Sequence, residues 1–228
     1  MDPRLSKAII ASEHYRCTDE ILTITAMLQE SGSLFFRPKD KKIQANQAHQ
    51  NFVRPGGDHF TLLNVFTEWV DTAFSIGWTY ENFVQVKSLN RVRDIRDQLA
   101  NLCERVEIVP ESNSDSSDIV PIQKSMLSGY FYNCAQLSRT GDSYKTFKTN
   151  QTVYIHPSAS LFNSQPPVRY INYYELVLTS KEYARSVMEF KPDWLLEVAP
   201  HAFTKKDIQD DSQRKMPKQI KQAPPPPQ

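Results

Sequence analysis

Basic side chains alternate with aromatic and hydroxyl groups in three stretches of this 228-residue sequence, at 35–42, 87–96 and 145–158. Lysine and arginine bind phosphate oxygens, and aromatic rings stack on unpaired bases. The pattern therefore indicates a surface suited to single-stranded nucleic acid. The candidate ligands are Arg37, Lys39, Lys87, Ser88, Arg91, Lys145, Lys148, Tyr154, His156 and Ser158.

Each stretch also has a structural explanation. Phe35 and Phe36 are as suitable for filling a core as for flanking a phosphate, and Asp94 lies within one helical turn of the neighbouring arginines. Tyr154 is equally compatible with a core position, and residues 156–158 with a capped turn. Periodicity alone does not separate these interpretations.

Motifs that would indicate an enzyme are missing from the sequence. The chain has only six glycines, and none of them falls in a G-x-G-x-x-G or G-x-x-x-x-G-K-[ST] frame that would hold phosphate. Its five histidines form no H-E-x-x-H motif, and there is no G-x-S-x-G motif. Three distant cysteines favour reduced thiols over a disulfide framework or a zinc site. We expect that this chain alone is not an enzyme and holds no metal or cofactor.

Net charge and hydropathy limit the possible partners. Lysine and arginine number 27 against 26 aspartate and glutamate residues, so any contact with nucleic acid must be local. No apolar run approaches the roughly 18 residues that a membrane span requires. We expect a soluble intracellular protein with no membrane partner.

The first part of the chain, residues 1–109, is predicted to be a helical bundle. Asp2 and Pro3 are suited to begin a helix, and Thr18 and Asp58 are candidate caps for two more. Apolar residues at helical spacing follow each of these positions, and residues 21–28 are apolar nearly all round, which indicates a buried helix.

The second part of the chain is predicted to be a small β-barrel. Residues 110–118 are polar and serine-rich and form the predicted linker, and a helix follows it. Within the domain at 119–203 the period changes to two, which predicts antiparallel strands at 144–147, 152–156, 168–179 and 183–190 and a barrel of the OB type. Residues 204–228 are predicted to be a disordered basic and proline-rich tail. The fold class is therefore α+β.

Several segments in this order resemble the C-terminal region of the spliceosomal DEAH-box RNA helicases. That region consists of the end of a winged helix, a helical ratchet (HA2-type) domain and an OB-fold domain. The matching segments are LTI at 22–24, FRPKDK at 36–41, GDHFTLL at 57–63, WTYENF at 78–83, RDIRDQL at 93–99, SGYF at 128–131, VYIHPS at 153–158, YELVLTSK at 174–181 and WLLEVAP at 194–200.

The resemblance implies the RNA-binding and regulatory module of an ATP-dependent helicase in the nucleus. In this family single-stranded RNA lies between the ratchet and OB domains and two RecA-like motor domains, which bind ATP and magnesium and are absent from this chain. The segments at 195–201 and 215–218 are most similar to the family member that acts before the branching step of pre-mRNA splicing. An alternative is a protein-interaction platform that docks spliceosomal proteins or a glycine-patch activator and contacts RNA only incidentally.

Overall fold

The computed structural model describes residues 2–208 and places a helical bundle before a five-stranded barrel. The bundle helices are α1 (Pro3–His14), α2 (Thr18–Glu30), α3 (Lys42–Asn51), α4 (Asp58–Asp71), α5 (Ile76–Glu81) and α6 (Val86–Arg105), with short 3-10 turns at Ser31–Ser33 and Lys39–Lys41. Helix α7 (Val120–Tyr130) leads into the barrel, and α8 (Trp194–Val198) and α9 (Lys205–Ile208) follow it. The predicted α+β class is confirmed.

Local sequence signals explain where the bundle helices begin and which of them is central. The Asp2 carboxylate accepts a hydrogen bond from the Arg4 amide at 2.8 Å, and Pro3 occupies the first helical position, as predicted. Residues 21–28 of α2 are all buried, so this helix forms the centre of the bundle. Thr18 is the first residue of α2 and not its cap.

The barrel consists of β1 (Cys134–Leu137), β2 (Tyr144–Thr146), β3 (Thr152–Ile155), β4 (Tyr170–Leu178) and β5 (Glu182–Glu189), closed in the order β1-β2-β3-β5-β4. The prediction of purely antiparallel pairing is wrong at one edge, where β3 and β5 run parallel. The reason is geometric, because strand directions cannot alternate around a closed ring with an odd number of strands. The structure also adds β1, which the sequence did not predict.

Helix α7 extends the hydrophobic core of the bundle into the second predicted domain. Its residues Ile122, Met126 and Tyr130 lie in the same apolar cluster as Leu5 of α1 and Met188 of β5. Residues 110–118 therefore do not mark the limit of the bundle core, because α7 and β5 residues that follow them belong to it. The interior of the barrel forms a second cluster around Val153, Ile171 and Val187 in which side chains of all five strands meet.

The Gly56-Gly57-Asp58 turn attaches the bundle to the barrel. The carboxylate of Asp58, the first residue of α4, accepts hydrogen bonds from the backbone N–H groups of Ser160 and Val187, both at 2.7 Å. The predicted capping role of Asp58 is therefore wrong, since the helix cap is Gly57 and the Asp58 side chain binds the barrel. Burial raises the pKa of Asp58, while the two N–H groups oppose that shift.

Close backbone contact supports this attachment. Gly57 has φ of 120°, a conformation that favours glycine, and a Cβ atom at this position would clash with the carbonyl oxygen of Val187. The Glu189 amide also donates to the carbonyl of Gly56 at 3.0 Å. Main chain therefore lies directly against main chain where α4 meets β5.

The predicted tail at 204–228 is corrected over its first residues. Lys205–Ile208 forms helix α9, and Ile208 is buried with Phe203 and Phe131 in a third apolar cluster. Burial of this isoleucine explains why the chain stays ordered beyond residue 204. The rest of the predicted tail, residues 209–228, lies outside the described residues. Within 2–208, no helix has both the length and the apolar character needed to cross a membrane.

The glycine at the attachment can be tested by a pair of substitutions. Gly57→Ala is expected to lower the free energy of unfolding by about 3 kcal/mol, because the methyl group meets backbone and the positive φ is strained. Gly77→Ala is the matched control, since its Cβ would lie at an ordinary 3.5 Å from Ser75 Oγ and helix propensity favours alanine. Urea unfolding followed by circular dichroism measures both, and equal midpoints for Gly57→Ala and the unsubstituted protein would contradict the role of Gly57.

A buried histidine next to the attachment predicts a loss of stability in acid. Burial lowers the pKa of His59 to about 4, against about 6.5 in an unfolded chain. The unfolded state therefore takes up the proton first, so stability is full above about pH 6.5 and falls by about 3 kcal/mol as pH decreases to 4. Urea midpoints between pH 7.5 and pH 4 measure this loss. His59→Gln should reduce stability at pH 7.5 but make stability less dependent on pH. Titration of Asp58 affects both proteins equally, so it cancels when the two pH profiles are compared. Parallel profiles of stability against pH for the variant and the unsubstituted protein would refute the assignment to His59.

Candidate nucleic-acid interface

A polar cleft of about 600 Å³ lies between the helical bundle and the barrel. One wall comes from the loop before α3, from α3 itself and from the start of α4, and the opposite wall comes from the loop after β3 and from β5. The lining residues that carry polar or charged groups include Arg37, Asn46, His49, Gln50, Asp58, Ser158, Asn163 and Arg185. Two of the ten predicted ligands, Arg37 and Ser158, are among them.

An arginine stands on each wall of the cleft. Arg37 is exposed, and its Nε donates to Oδ1 of Asn46 on α3 at 2.7 Å, which holds the guanidinium at the rim. Arg185 on β5 forms a 3.4 Å ion pair with Glu175 and extends toward Gly32 on the bundle side. Exposed pairs of this length are weak, so both guanidinium groups remain able to bind an anion.

His49 lies against the bundle wall with one ring nitrogen unpartnered. Its Nε2 is 3.0 Å from the Phe83 carbonyl oxygen, so this nitrogen carries the proton and donates. Its Nδ1 is buried and has no hydrogen-bond partner within residues 2–208, and burial lowers the pKa of the ring. The ring of Phe35 packs against the imidazole with centroids 4.3 Å apart, so His49 lines the cleft while its Nδ1 is covered.

The predicted pair His156 and Ser158 forms a compact turn at the barrel wall. The Ser158 amide donates to His156 Nδ1 at 3.1 Å, and the Ser158 hydroxyl oxygen lies 2.7 Å from the same nitrogen. Burial and the nearby Arg185 guanidinium lower the pKa of His156, so the ring is neutral at pH 7. The alternative of a capped turn describes this geometry correctly, yet the turn also places Ser158 in the cleft.

Tyr154 lines a second, smaller cavity at the end of the barrel. This cavity has a volume of about 340 Å³ and is bordered by the rings of Tyr144, Tyr154 and Tyr183. The ammonium group of Lys181 lies 4.1 Å from the centroid of the Tyr154 ring. Pro157 borders both this cavity and the cleft, so the two spaces adjoin.

Lys145 and Lys148 do not reach the cleft. Lys145 Nζ donates to Thr152 Oγ1 at 2.5 Å on the barrel surface. Lys148 Nζ donates to the Ala202 carbonyl and sits 4.2 Å from the centroid of the Phe203 ring. Of the two predicted ligands, Lys145 is therefore bound to the neighbouring strand β3 and Lys148 to the segment that follows α8.

Two of the three predicted ligands on α6, Ser88 and Arg91, also have partners within the chain. Ser88 is buried and its hydroxyl lies 2.9 Å from that of Ser33, while Arg91 forms a 2.7 Å ion pair with Glu30 on α2. Lys87 is exposed at the start of the same helix, and Lys39 is exposed on the 3-10 turn before α3. None of these four residues lines the cleft.

Sequence reasoning did not select Arg185, His49, Asn46 or Asn163. The only sequence feature that could have indicated Arg185 is a cation on the outward face of a predicted strand. No sequence feature indicates that His49 has an unpartnered Nδ1. Their proximity depends on the attachment of α4 to β5, which joins residues more than a hundred positions apart. All ten predicted ligands thus remain predictions, with Arg37 and Ser158 in the cleft.

Comparison with known protein families gives two matches. Residues 2–62 match the family described as helicase associated domain (HA2), ratchet-like. Residues 122–202 match the oligonucleotide/oligosaccharide-binding (OB)-fold family. The closed five-stranded barrel agrees with the second match, and the cleft lies between the two matched regions. The chain therefore contains a match to a ratchet-like domain followed by a match to an OB-fold domain, a combination that is typical of the C-terminal module of DEAH-box helicases.

Proposed function

We propose that this chain is the RNA-binding and regulatory module of an ATP-dependent RNA helicase that acts in pre-mRNA splicing. In this proposal the module holds single-stranded RNA against the motor domains of the same protein, which bind ATP and magnesium. The observation that carries the proposal is the polar cleft with Arg37 and Arg185 on opposite walls.

The geometry of the cleft suits a nucleic-acid backbone. Guanidinium groups on two walls can contact successive phosphates, and charge-assisted hydrogen bonds of this kind are stronger than neutral ones. Ser158 and Asn163 add hydroxyl and amide groups that can contact phosphate or ribose. These contacts would not depend on base identity, which suits a helicase that moves along RNA of any sequence.

The smaller cavity, bordered by Tyr144, Tyr154 and Tyr183, extends the proposed RNA path beyond the cleft. A strand that leaves the cleft over Pro157 arrives at the rings of Tyr154 and Tyr183, whose centroids are 6.1 Å apart. Aromatic side chains of OB-fold barrels bind bases by stacking, at about 1–3 kcal/mol for each base. We therefore assign phosphate binding to the cleft and base stacking to the cavity.

The finer parts of the proposal concern the cellular setting. We propose a nuclear location, spliceosomal proteins as partners and a role before the branching step, because the segments at 195–201 and 215–218 are most similar to the helicase of that step. A glycine-patch activator is a further proposed partner. These assignments rest on sequence resemblance, whereas the RNA path rests on geometry.

Paired arginine substitutions test the RNA path. Arg37→Ala with Arg185→Ala is expected to weaken binding of a labelled 12-nucleotide oligouridine about tenfold, because two phosphate contacts are lost. The slope of log affinity against log salt concentration should decrease by about 1.4, since each phosphate contributes about 0.7 for single strands. Fluorescence anisotropy at several salt concentrations measures both quantities, first on this chain and then with the motor domains present.

Arg105→Ala is the matched control for this experiment. Arg105 is an exposed arginine at the end of α6 that does not line the cleft. Its substitution removes one positive charge, as each of the two cleft substitutions does. We expect its RNA affinity to stay within about twofold of the unsubstituted chain. Equal losses for Arg105→Ala and for each cleft arginine would show that binding follows net charge, and the proposed path would be wrong.

A further inference from the structure

One carboxylate, that of Glu20, accepts three hydrogen bonds from the linker between α6 and α7. Ser112 Oγ donates to Oε1 of Glu20 at 2.5 Å, and the Asn113 amide donates to both oxygens of the same group at 3.1 and 3.2 Å. The Asp19 amide in turn donates to the Glu111 carbonyl at 3.0 Å. The start of α2 and the middle of the linker therefore hold each other in place.

Ser112 differs from the other serines of the linker in its sequence setting. Glu111 precedes it and Asp115 follows three positions later, whereas Ser114, Ser116 and Ser117 have no acidic residue at the third following position. Ser112 is exposed, and residues 111–113 have irregular backbone, which allows an enzyme to bind the segment in extended form. Kinases select substrates by the charges around the target hydroxyl, and those that prefer acidic neighbours present a basic groove.

We propose that Ser112 is a phosphorylation site for an acid-directed protein serine kinase and that its phosphorylation releases the linker from α2. The kinase transfers the γ-phosphoryl group of ATP: a bond forms between Ser112 Oγ and phosphorus, the bond to the departing ADP breaks, and the hydroxyl proton passes to the base of the kinase. The proposal is independent of RNA binding.

The charges around Ser112 determine the direction of the effect. The phosphoserine carries a charge of about −2 and has no hydroxyl proton to donate to Glu20, so a hydrogen bond is replaced by repulsion. Two arginines contact acidic residues beside this site, Arg96 with Asp19 at 2.5 Å and Arg16 with Glu111 at 3.9 Å, so the positive charge of each is offset by an adjacent carboxylate. Asp19 and Glu20 also occupy the positive end of α2, which leaves that end less able to attract the phosphate.

The test uses the whole chain, a purified casein kinase as the acid-directed enzyme, and ATP. Peptide mass spectrometry should locate the phosphate on Ser112, and hydrogen exchange should then compare the phosphorylated and unmodified proteins. We expect the amides of Asp19 and Asn113 to exchange at least about fivefold faster after phosphorylation. This factor corresponds to the repulsion between two like unit charges about 4 Å apart in a water-like dielectric. Amides in the middle of α4 should not change.

Three variants separate recognition from release. Asp115→Asn should slow phosphorylation without changing exchange in the unmodified protein, and Ser114→Ala should change neither property. Glu20→Gln should be phosphorylated normally yet lose most of the acceleration, because the repelling charge is gone. Absence of phosphate from Ser112, phosphate mainly on another linker serine, or unchanged exchange in the phosphorylated chain would each overturn the proposal.

Discussion

Two barrel amides donate to one bundle carboxylate, and the relative position of the two halves depends on that contact. Asp58 satisfies the N–H groups of Ser160 and Val187 together, each at 2.7 Å. A buried carboxylate is costly unless its oxygens are hydrogen-bonded, so the arrangement is favourable only when both amides are in reach. Gly57 permits this approach because it has no side chain between α4 and β5. One short turn thus specifies how a helix meets a barrel.

The cleft forms because the contact of Asp58 with the barrel brings the two halves of the chain together, and no single segment forms it alone. Arg37 belongs to a loop of the bundle and Arg185 to the last strand of the barrel, and they share a space because Asp58 fixes the loop after β3 beside α3 and α4. The electrostatic character of the cleft is mixed, since Asp58 lies among the arginines. That carboxylate is buried and accepts hydrogen bonds from two amides, so the accessible charged groups of the cleft are the two guanidinium groups.

Local periodicity predicted most elements but few of the contacts. The apolar character of residues 21–28 and the β-branched and aromatic content of β4 were sufficient to assign a central helix and a strand. The partner of Arg91 was not predictable in this way, because the nearby Asp94 is the obvious candidate and the actual partner is Glu30, 61 positions away. Lys148 likewise binds the carbonyl of Ala202, and the parallel pairing of β3 with β5 follows from strand count and not from composition.

Helix α7 gives the molecule a mechanical property. Because Met126 and Tyr130 are packed in one cluster with residues of both α1 and β5, bending between bundle and barrel would open an apolar core and not merely a loop. The two walls of the cleft are consequently joined through one packed core, which keeps the width of the cleft constant. If the cleft binds RNA as proposed, release of the RNA requires movement of the motor domains that face the cleft and no change in the cleft itself.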